Sequence, residues 1–324
     1  MNGITKIAVF DYDDTLRPSY KAAAKEVVEI WNTLRYSETL LVISTGRSYR
    51  KIKAELLKNN FDFPDYIISD QGTIITDCRT NTIIKKVTVP NKPVIEITQE
   101  FLRRNGRPEM IRVSNGEKLF AVDCPDATEF FCKNNEPDLI LMDVENMYDF
   151  IYNGIYCKVL LMDSEEKVNS LLPFCEKYDN EILASSTGAT NYGTSSNIKN
   201  FRLELVNSHA GKYNSLMYLI EFMQDSGEIP RGNFLELLAV GDEMSDLGLA
   251  ECAIQKNSNP NMRGFFACIG NNTHGSKDLL RESMKIAGSI NQTDKVLNVA
   301  SVQENGAIDA INIWMEKLNH LTNK

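Results

Sequence analysis

The 324-residue sequence predicts an α/β fold, a doubly wound parallel sheet with a second, α+β unit inserted into it. Three observations carry this prediction. Short apolar runs recur, each ending at an acid, a glycine or a hydroxyl; amphipathic helical patterns separate them; and between about residues 85 and 206 that alternation gives way to clustered strand-like stretches.

In order, the runs are Ile7–Phe10 before Asp11, Leu40–Ile43 before Ser44, Tyr66–Ile68 before Ser69, Leu237–Val240 before Gly241, and Phe265–Ile269 before Gly270. Runs of this kind suit strands buried on both faces. The helical stripes are Ala23, Val27, Ile30, Trp31 and Leu34; then Ile52, Leu56 and Leu57; then Leu216, Leu219, Ile220 and Met223. Their alternation implies right-handed crossovers and a site beyond the carboxyl ends of the strands. The acids and hydroxyls stand at those ends. Within the insert, Glu109–Ser114, Lys118–Asp123, Tyr156–Met162 and Phe201–Val206 read as strands. Val94–Arg104 and Glu165–Lys177 read as helices over one face of an antiparallel sheet, and the polar stretch Ser185–Asn200 as a loop or hairpin tip. Ile308, Ile311, Met315 and Leu318 predict a terminal helix packed on the core.

Composition narrows the function. Thirty-five Lys and Arg against 44 Asp and Glu leave a net charge of −9, without the basic footprint that nucleic-acid binding needs. No apolar run approaches the roughly 18 residues of a membrane span. The amino end lacks the apolar core of a secretory signal, which places the protein in the cytoplasm. Seven cysteines without a C-x-x-C pair suit reduced, buried thiols. His209, His274 and His320 share no triad or metal spacing.

Asp11-Tyr12-Asp13-Asp14-Thr15 directly follows the first strand. In extended backbone, residues two apart point the same way, so Asp11 and Asp13 offer two carboxylates to one place. Acids held together call for a cation or a proton between them. Gly241-Asp242-Glu243-Met244-Ser245-Asp246 closes a later strand in the same manner. The sheet thus gathers Asp11, Asp13 and Asp242 around one hard cation, and oxygen-only ligands favour Mg²⁺. Asp242 and Asp246 equally suit the cap of a helix beginning near Leu247. Thr45-Gly46-Arg47 ends another strand with a hydroxyl, a tight turn and a helix amino end, the parts of a phosphate cradle. Lys212 opens a helix, where it opposes the macrodipole unless an anion lies beside it.

This ordered set resembles the haloacid dehalogenase (HAD) superfamily of phosphatases, and within it the Cof-type hydrolases of subclass IIB with a C2-type cap. Ile68-Ser69-Asp70-Gln71-Gly72, Leu203-Glu204-Leu205, Ile269-Gly270-Asn271 and Asn305-Gly306-Ala307 add to the likeness. The resemblance implies a Rossmann-like core over residues 1–84 and 207–324, with residues 85–206 as the cap that selects the substrate. It implies Asp11 as the nucleophile that becomes an aspartyl phosphate, and Asp13 as the general acid and base. The Asp11 carboxylate, the Asp13 main-chain carbonyl and Asp242 would hold Mg²⁺, with Asp246 supporting the metal shell and orienting Lys212. Thr45 and Lys212 would bind the moving phosphoryl oxygens, with Gly46 and Arg47 beside them. The implied activity is Mg²⁺-dependent hydrolysis of a small phosphorylated metabolite such as a sugar phosphate. Phosphotransfer, as in phosphomannomutases, and a catalytically silent binding homologue stay open, and the oligomeric state is not specified. Three positions depart from the family pattern: Asp14 stands where Gly is usual, Ser245 where Asn is usual, and Gln71 where Asn is usual.

Overall fold

The apolar runs form strands because helices cover both of their faces. The computed structural model describes residues 4–19, 21–122, 139–190, 200–254, 261–271 and 273–322. Its strands are β1 (Ile4–Phe10), β2 (Thr39–Ser44), β3 (Tyr66–Ser69), β4 (Ile74–Asp77) and β5 (Thr82–Lys86), followed by β6 (Met110–Ser114), β7 (Leu119–Val122), β8 (Leu139–Met142), β9 (Lys158–Asp163), β10 (Ile182–Thr190) and β11 (Asn200–Asn207). The last three are β12 (Phe234–Gly241), β13 (Met262–Ile269) and β14 (Val296–Val299).

One sheet runs β14-β13-β12-β1-β2-β3-β4-β5. It is parallel from β14 to β3, and the β4–β5 hairpin extends it antiparallel. Strand order climbs away from β1 in both directions, so the switch point lies between β1 and β12, where Phe10 pairs with Val240. On one face the helices Lys25–Tyr36, Tyr49–Lys58 and Gly306–Thr322 bury Val27, Trp31, Ile52, Leu56 and Trp314. Gly211–Asp225, Leu247–Ile254 and His274–Ser289 bury Leu216, Leu219, Leu249 and Leu279 on the other. This is the doubly wound arrangement the alternation implies.

The second sheet runs β10-β11-β9-β6-β7-β8 and is antiparallel except between β7 and β8. Its helices Asn91–Asn105 and Val144–Asn153 bury Val94, Ile97, Phe101, Met147 and Ile151 against Ile111, Val113, Val159 and Leu161.

Several elements differ from the sequence reading. The span Glu165–Lys177 is not one helix but Glu165–Asn169, Leu172–Cys175 and a 3₁₀ turn Glu176–Tyr178. Pro173 has no N–H to continue the first helix. The helix Val144–Asn153 was not expected, although Asp143 caps it by accepting from Asn146 N at 2.8 Å and Gly154 ends it. The polar stretch Ser185–Asn200 begins as strand, because β10 runs to Thr190; residues 191–199 lie outside the described residues. The terminal helix buries Ala307, Ala310, Ile311, Trp314 and Leu318, leaving Ile308 and Met315 only half-buried. Trp314 and two alanines rotate the buried stripe away from the one the aliphatic residues mark. Five cysteines among the described residues are free thiols, four of them buried.

Candidate active site

Asp11 is the first residue beyond β1, and its N–H donates to Val240 O at 2.9 Å, continuing the ladder with β12. That ladder brings the ends of β1 and β12 side by side. Gly241 then lets Asp246 fold back, since a Cβ on residue 241 would stand 2.4 Å from the Asp246 Cβ. Asp246 Oδ2 accepts from the Asp242 N–H at 3.0 Å and the Glu243 N–H at 3.2 Å, so it does cap the turn that starts the next helix. Its other oxygen, Oδ1, meets Lys212 Nζ at 2.5 Å. Lys212 Nζ also reaches Asp11 Oδ1 at 2.8 Å. The lysine side chain is 3% exposed, so the penalty of a cation in a helix's first turn is offset by two carboxylates.

Carboxylate oxygens of Asp11, Asp242 and Asp246 lie within 4.8 Å of one another. Asp242 is steadied by the Thr15 hydroxyl, which donates to Oδ1 at 3.1 Å, and by Asn271 Nδ2, 3.3 Å from Oδ2. Asn271 donates in addition to Asp14 O at 2.8 Å and accepts from Val302 N at 3.0 Å, so it ties β13 to the acid loop and to the turn before the last helix. Neither Thr15 nor Asn271 had a role in the sequence reading; both stand in the strings that carry the resemblance.

Three acids meet here and one ammonium pairs with two of them, Asp11 and Asp246, so with all three ionised the cluster carries a surplus of 3 − 1 = 2 negative charges. Burial raises the Asp11 carboxyl well above its usual range although Lys212 opposes the shift. Burial, then Asp11 and Asp246, push Asp242 up to about 9. An all-oxygen donor set with surplus charge fits a hard divalent cation better than protons at neutral pH.

Asp13 takes a different place from the one expected. It is not in the three-acid cluster, because the chain leaves extended geometry after Tyr12. Leu16 N and Arg17 N both donate to Tyr12 O, and Asp14 has φ +55°. The Asp13 carboxylate turns to Arg47, whose Nε and Nη2 donate at 2.5 and 2.6 Å, and to Arg17 Nη2 at 3.2 Å. Burial would raise its pKa, but the Arg47 hydrogen bonds and the two guanidinium charges outweigh burial and lower it. Arg47 therefore faces Asp13 and Glu55 in this structure.

The left-handed φ at residue 14 explains why glycine suits it, and aspartate tolerates that region better than most residues. Here the Asp14 carboxylate also accepts from Ser19 N at 2.6 Å and Ser19 Oγ at 2.5 Å, which closes the turn. Ser245 is exposed on the turn Met244–Asp246.

Thr45 is buried, donating its N–H to Ile68 O at 2.8 Å, and its Oγ1 accepts from Arg47 N at 3.2 Å. The neighbouring turn Asp70-Gln71-Gly72 has φ of +49°, +59° and +87°. Left-handed conformations at two non-glycine residues cost about 1 kcal/mol or more each and persist only where the surroundings impose them. Contacts from the six-stranded sheet impose them: Lys158 Nζ on Asp70 Oδ1 at 3.1 Å, Ser114 Oγ on Asp70 Oδ2 at 3.1 Å, and Gln71 Nε2 on Glu204 Oε2 at 2.9 Å. The sequence places Lys158 and Ser114 on strands of the insert, and nothing in their spacing marks a further role.

Residues 8–254 match the model of the haloacid dehalogenase-like hydrolase family. The chain is similar in structure to a HAD subclass IIB sugar phosphatase, with 15% identity, 96% of this chain and 99% of that one covered, and a TM-score of 0.66. It is similar also to a HAD/COF-like hydrolase from Plasmodium vivax, at 18% identity, 98% and 96% coverage and a TM-score of 0.67. A Mycoplasma capricolum protein of unassigned function is 25% identical over 195 residues, covering 55% of this chain and 67% of the relative. At these identities the structural likeness speaks for the shared fold.

Proposed function

The chain belongs to the haloacid dehalogenase-like hydrolases, Cof-type, and on that premise we propose that it is a cytoplasmic, Mg²⁺-dependent phosphomonoester hydrolase acting on a small phosphorylated metabolite, a sugar phosphate first among them. The observation that carries this is the buried meeting of Asp11, Asp242 and Asp246 with Lys212 at the switch point of the parallel sheet. The likeness to a sugar phosphatase supports the substrate class.

Asp11 attacks phosphorus in line, forming an Asp–O–P bond as the bond to the leaving oxygen breaks. Asp13 gives its proton to that oxygen and then takes one from the water that cleaves the aspartyl phosphate. Since Arg47 and Arg17 hold Asp13 ionised in this structure, Arg47 must leave it for the incoming phosphate before Asp13 can act as an acid. Thr45 and Lys212 bind the phosphoryl oxygens, with the Gly46 and Arg47 backbone beside them. The Asp11 carboxylate, the Asp13 main-chain carbonyl and Asp242 would hold Mg²⁺, which supplies charge neutralisation. Without it one carboxylate–phosphate pair of unit charges at about 4 Å costs roughly 4 kcal/mol at an effective dielectric near 20. Asp246 keeps Lys212 in place. Residues 85–206 act as the cap that closes over the substrate and excludes water.

Asp11→Asn tests the reading. Phosphate release from p-nitrophenyl phosphate should fall by roughly a thousandfold or more while circular dichroism stays unchanged. A variant that keeps most of the turnover overturns the assignment. Chelation by EDTA should stop the wild-type reaction and added Mg²⁺ restore it; undiminished activity in chelator refutes the cation. Phosphate release without a bisphosphate activator separates hydrolysis from phosphotransfer.

A further inference from the structure

Lys158 lies on β9, in the six-stranded sheet, yet its side chain serves the eight-stranded one. It is 8% exposed, and its Nζ donates to Gly46 O at 2.6 Å while pairing with Asp70 Oδ1 at 3.1 Å. Ser114, its register neighbour on β6, donates to the other Asp70 oxygen. An aliphatic side chain would fill the same space without the desolvation an ammonium carries, so the charge itself has a use.

That use is visible in the carbonyls of the loop after β2. Thr45 O accepts from Gln71 N at 3.3 Å, Gly46 O from Lys158 Nζ, and Arg47 O from Asp70 N at 2.8 Å. Three consecutive carbonyls of one loop are thus held by the left-handed turn and by the lysine that holds that turn. Gly46 fits closely, since a Cβ there would stand 2.8 Å from Gln71 Nε2, and Gln71 in turn donates to Glu204 on β11. Loop, turn and inserted sheet form one continuous set of contacts.

We propose that Lys158 is a positioning residue: through its bonds to Gly46 O and Asp70, the inserted unit sets the backbone of the Thr45–Gly46–Arg47 loop in the form that receives phosphate. Docking of that unit and assembly of the phosphate loop are then one event. The phosphate part of this statement rests on the function proposed above; the mechanical part does not.

Lys158→Met removes the charge and keeps an unbranched chain. In hydrogen exchange by mass spectrometry, residues 45–47 and 70–72 should exchange about tenfold faster than in the wild type, with β1 and β12 unchanged. In the Mg²⁺-loaded enzyme, inhibition by inorganic phosphate should weaken about tenfold and kcat fall by up to a hundredfold. Because the single variant leaves Asp70 buried without its cation, Lys158→Met combined with Asp70→Asn is the safeguard against misfolding. It should be as stable as the wild type or nearly so, and no further impaired in phosphate inhibition than Lys158→Met alone. Unchanged exchange at 45–47, additive losses in the double variant, or a lower melting temperature with phosphate inhibition intact would each overturn the proposal. A wild-type chain that releases no phosphate defeats the catalytic reading instead, and the exchange rates still decide whether Lys158 sets the loop.

Discussion

Asp242 titrates near 3.9 in an unfolded chain, whereas burial and the neighbouring acids push it to about 9 in the fold. A carboxyl raised on folding contributes stability that is complete below the unfolded value and is lost as pH rises through the folded one. In chelator, therefore, the melting temperature of the wild type should drop between about pH 5 and pH 9 relative to that of Asp242→Asn; parallel profiles would contradict the raised carboxyl. Cation binding displaces the same protons, so Mg²⁺ affinity should rise with pH over this window, with proton release measurable by calorimetry in buffers of different ionisation enthalpy. At this scale the D-x-D-x-T string showed which acids to watch but not where each one points. Strict alternation put Asp13 beside Asp11, whereas the turn through Asp14 hands Asp13 to Arg47. A left-handed residue in place of glycine leaves no periodic trace.

At the scale of elements, the site is made by connections between strand ends. Asn271, just past β13, steadies Asp242, just past β12, and the turn before the terminal helix. Asn271→Ala should weaken Mg²⁺ binding about 10- to 100-fold with little change in secondary structure, as outer partners of metal ligands do; titration calorimetry decides. The turn Asp70–Gly72 is less tolerant. Gly72 has φ +87°, and a Cβ there would stand 2.5 Å from Gly211 O, the residue before Lys212. Gly72→Ala should destabilise by about 2 kcal/mol or more in urea unfolding, from combined strain and clash. The parallel strands β1, β2, β3, β12 and β13 were readable because burial on both faces makes them uniformly apolar, whereas the parallel edge strand β14, Val-Leu-Asn-Val with one exposed and two half-buried residues, gave no such run. Strands β4 and β5 were not: Ile-Ile-Thr-Asp and Thr-Ile-Ile-Lys-Lys are too short and mixed to stand out. Their pairing depends on the turn that precedes them.

Considered whole, the molecule has separate apolar cores. Phe101 is fully buried in the one beneath the six-stranded sheet, whereas Asp11 and Asp242 directly follow β1 and β12, and Asp246 and Lys212 lie on a turn and a helix of the eight-stranded unit. Phe101→Ala should cost about 3–5 kcal/mol. Limited proteolysis should then cut first within the inserted unit, with Mg²⁺ binding retained; loss of the cation site in step with cleavage would show that the units unfold as one. The insert was legible as a change of rhythm, and less so inside, where Pro173 breaks one expected helix and Asp143 starts another. The chain's two tryptophans, Trp31 and Trp314, are both fully buried against the same face of the parallel sheet. Indole emission is consequently a one-sided gauge: it will register melting of that half as a red shift and stay silent while the other half comes apart. A denaturation curve followed by fluorescence and one followed by far-ultraviolet dichroism need not coincide for this chain, and the gap between them measures how independently its halves let go.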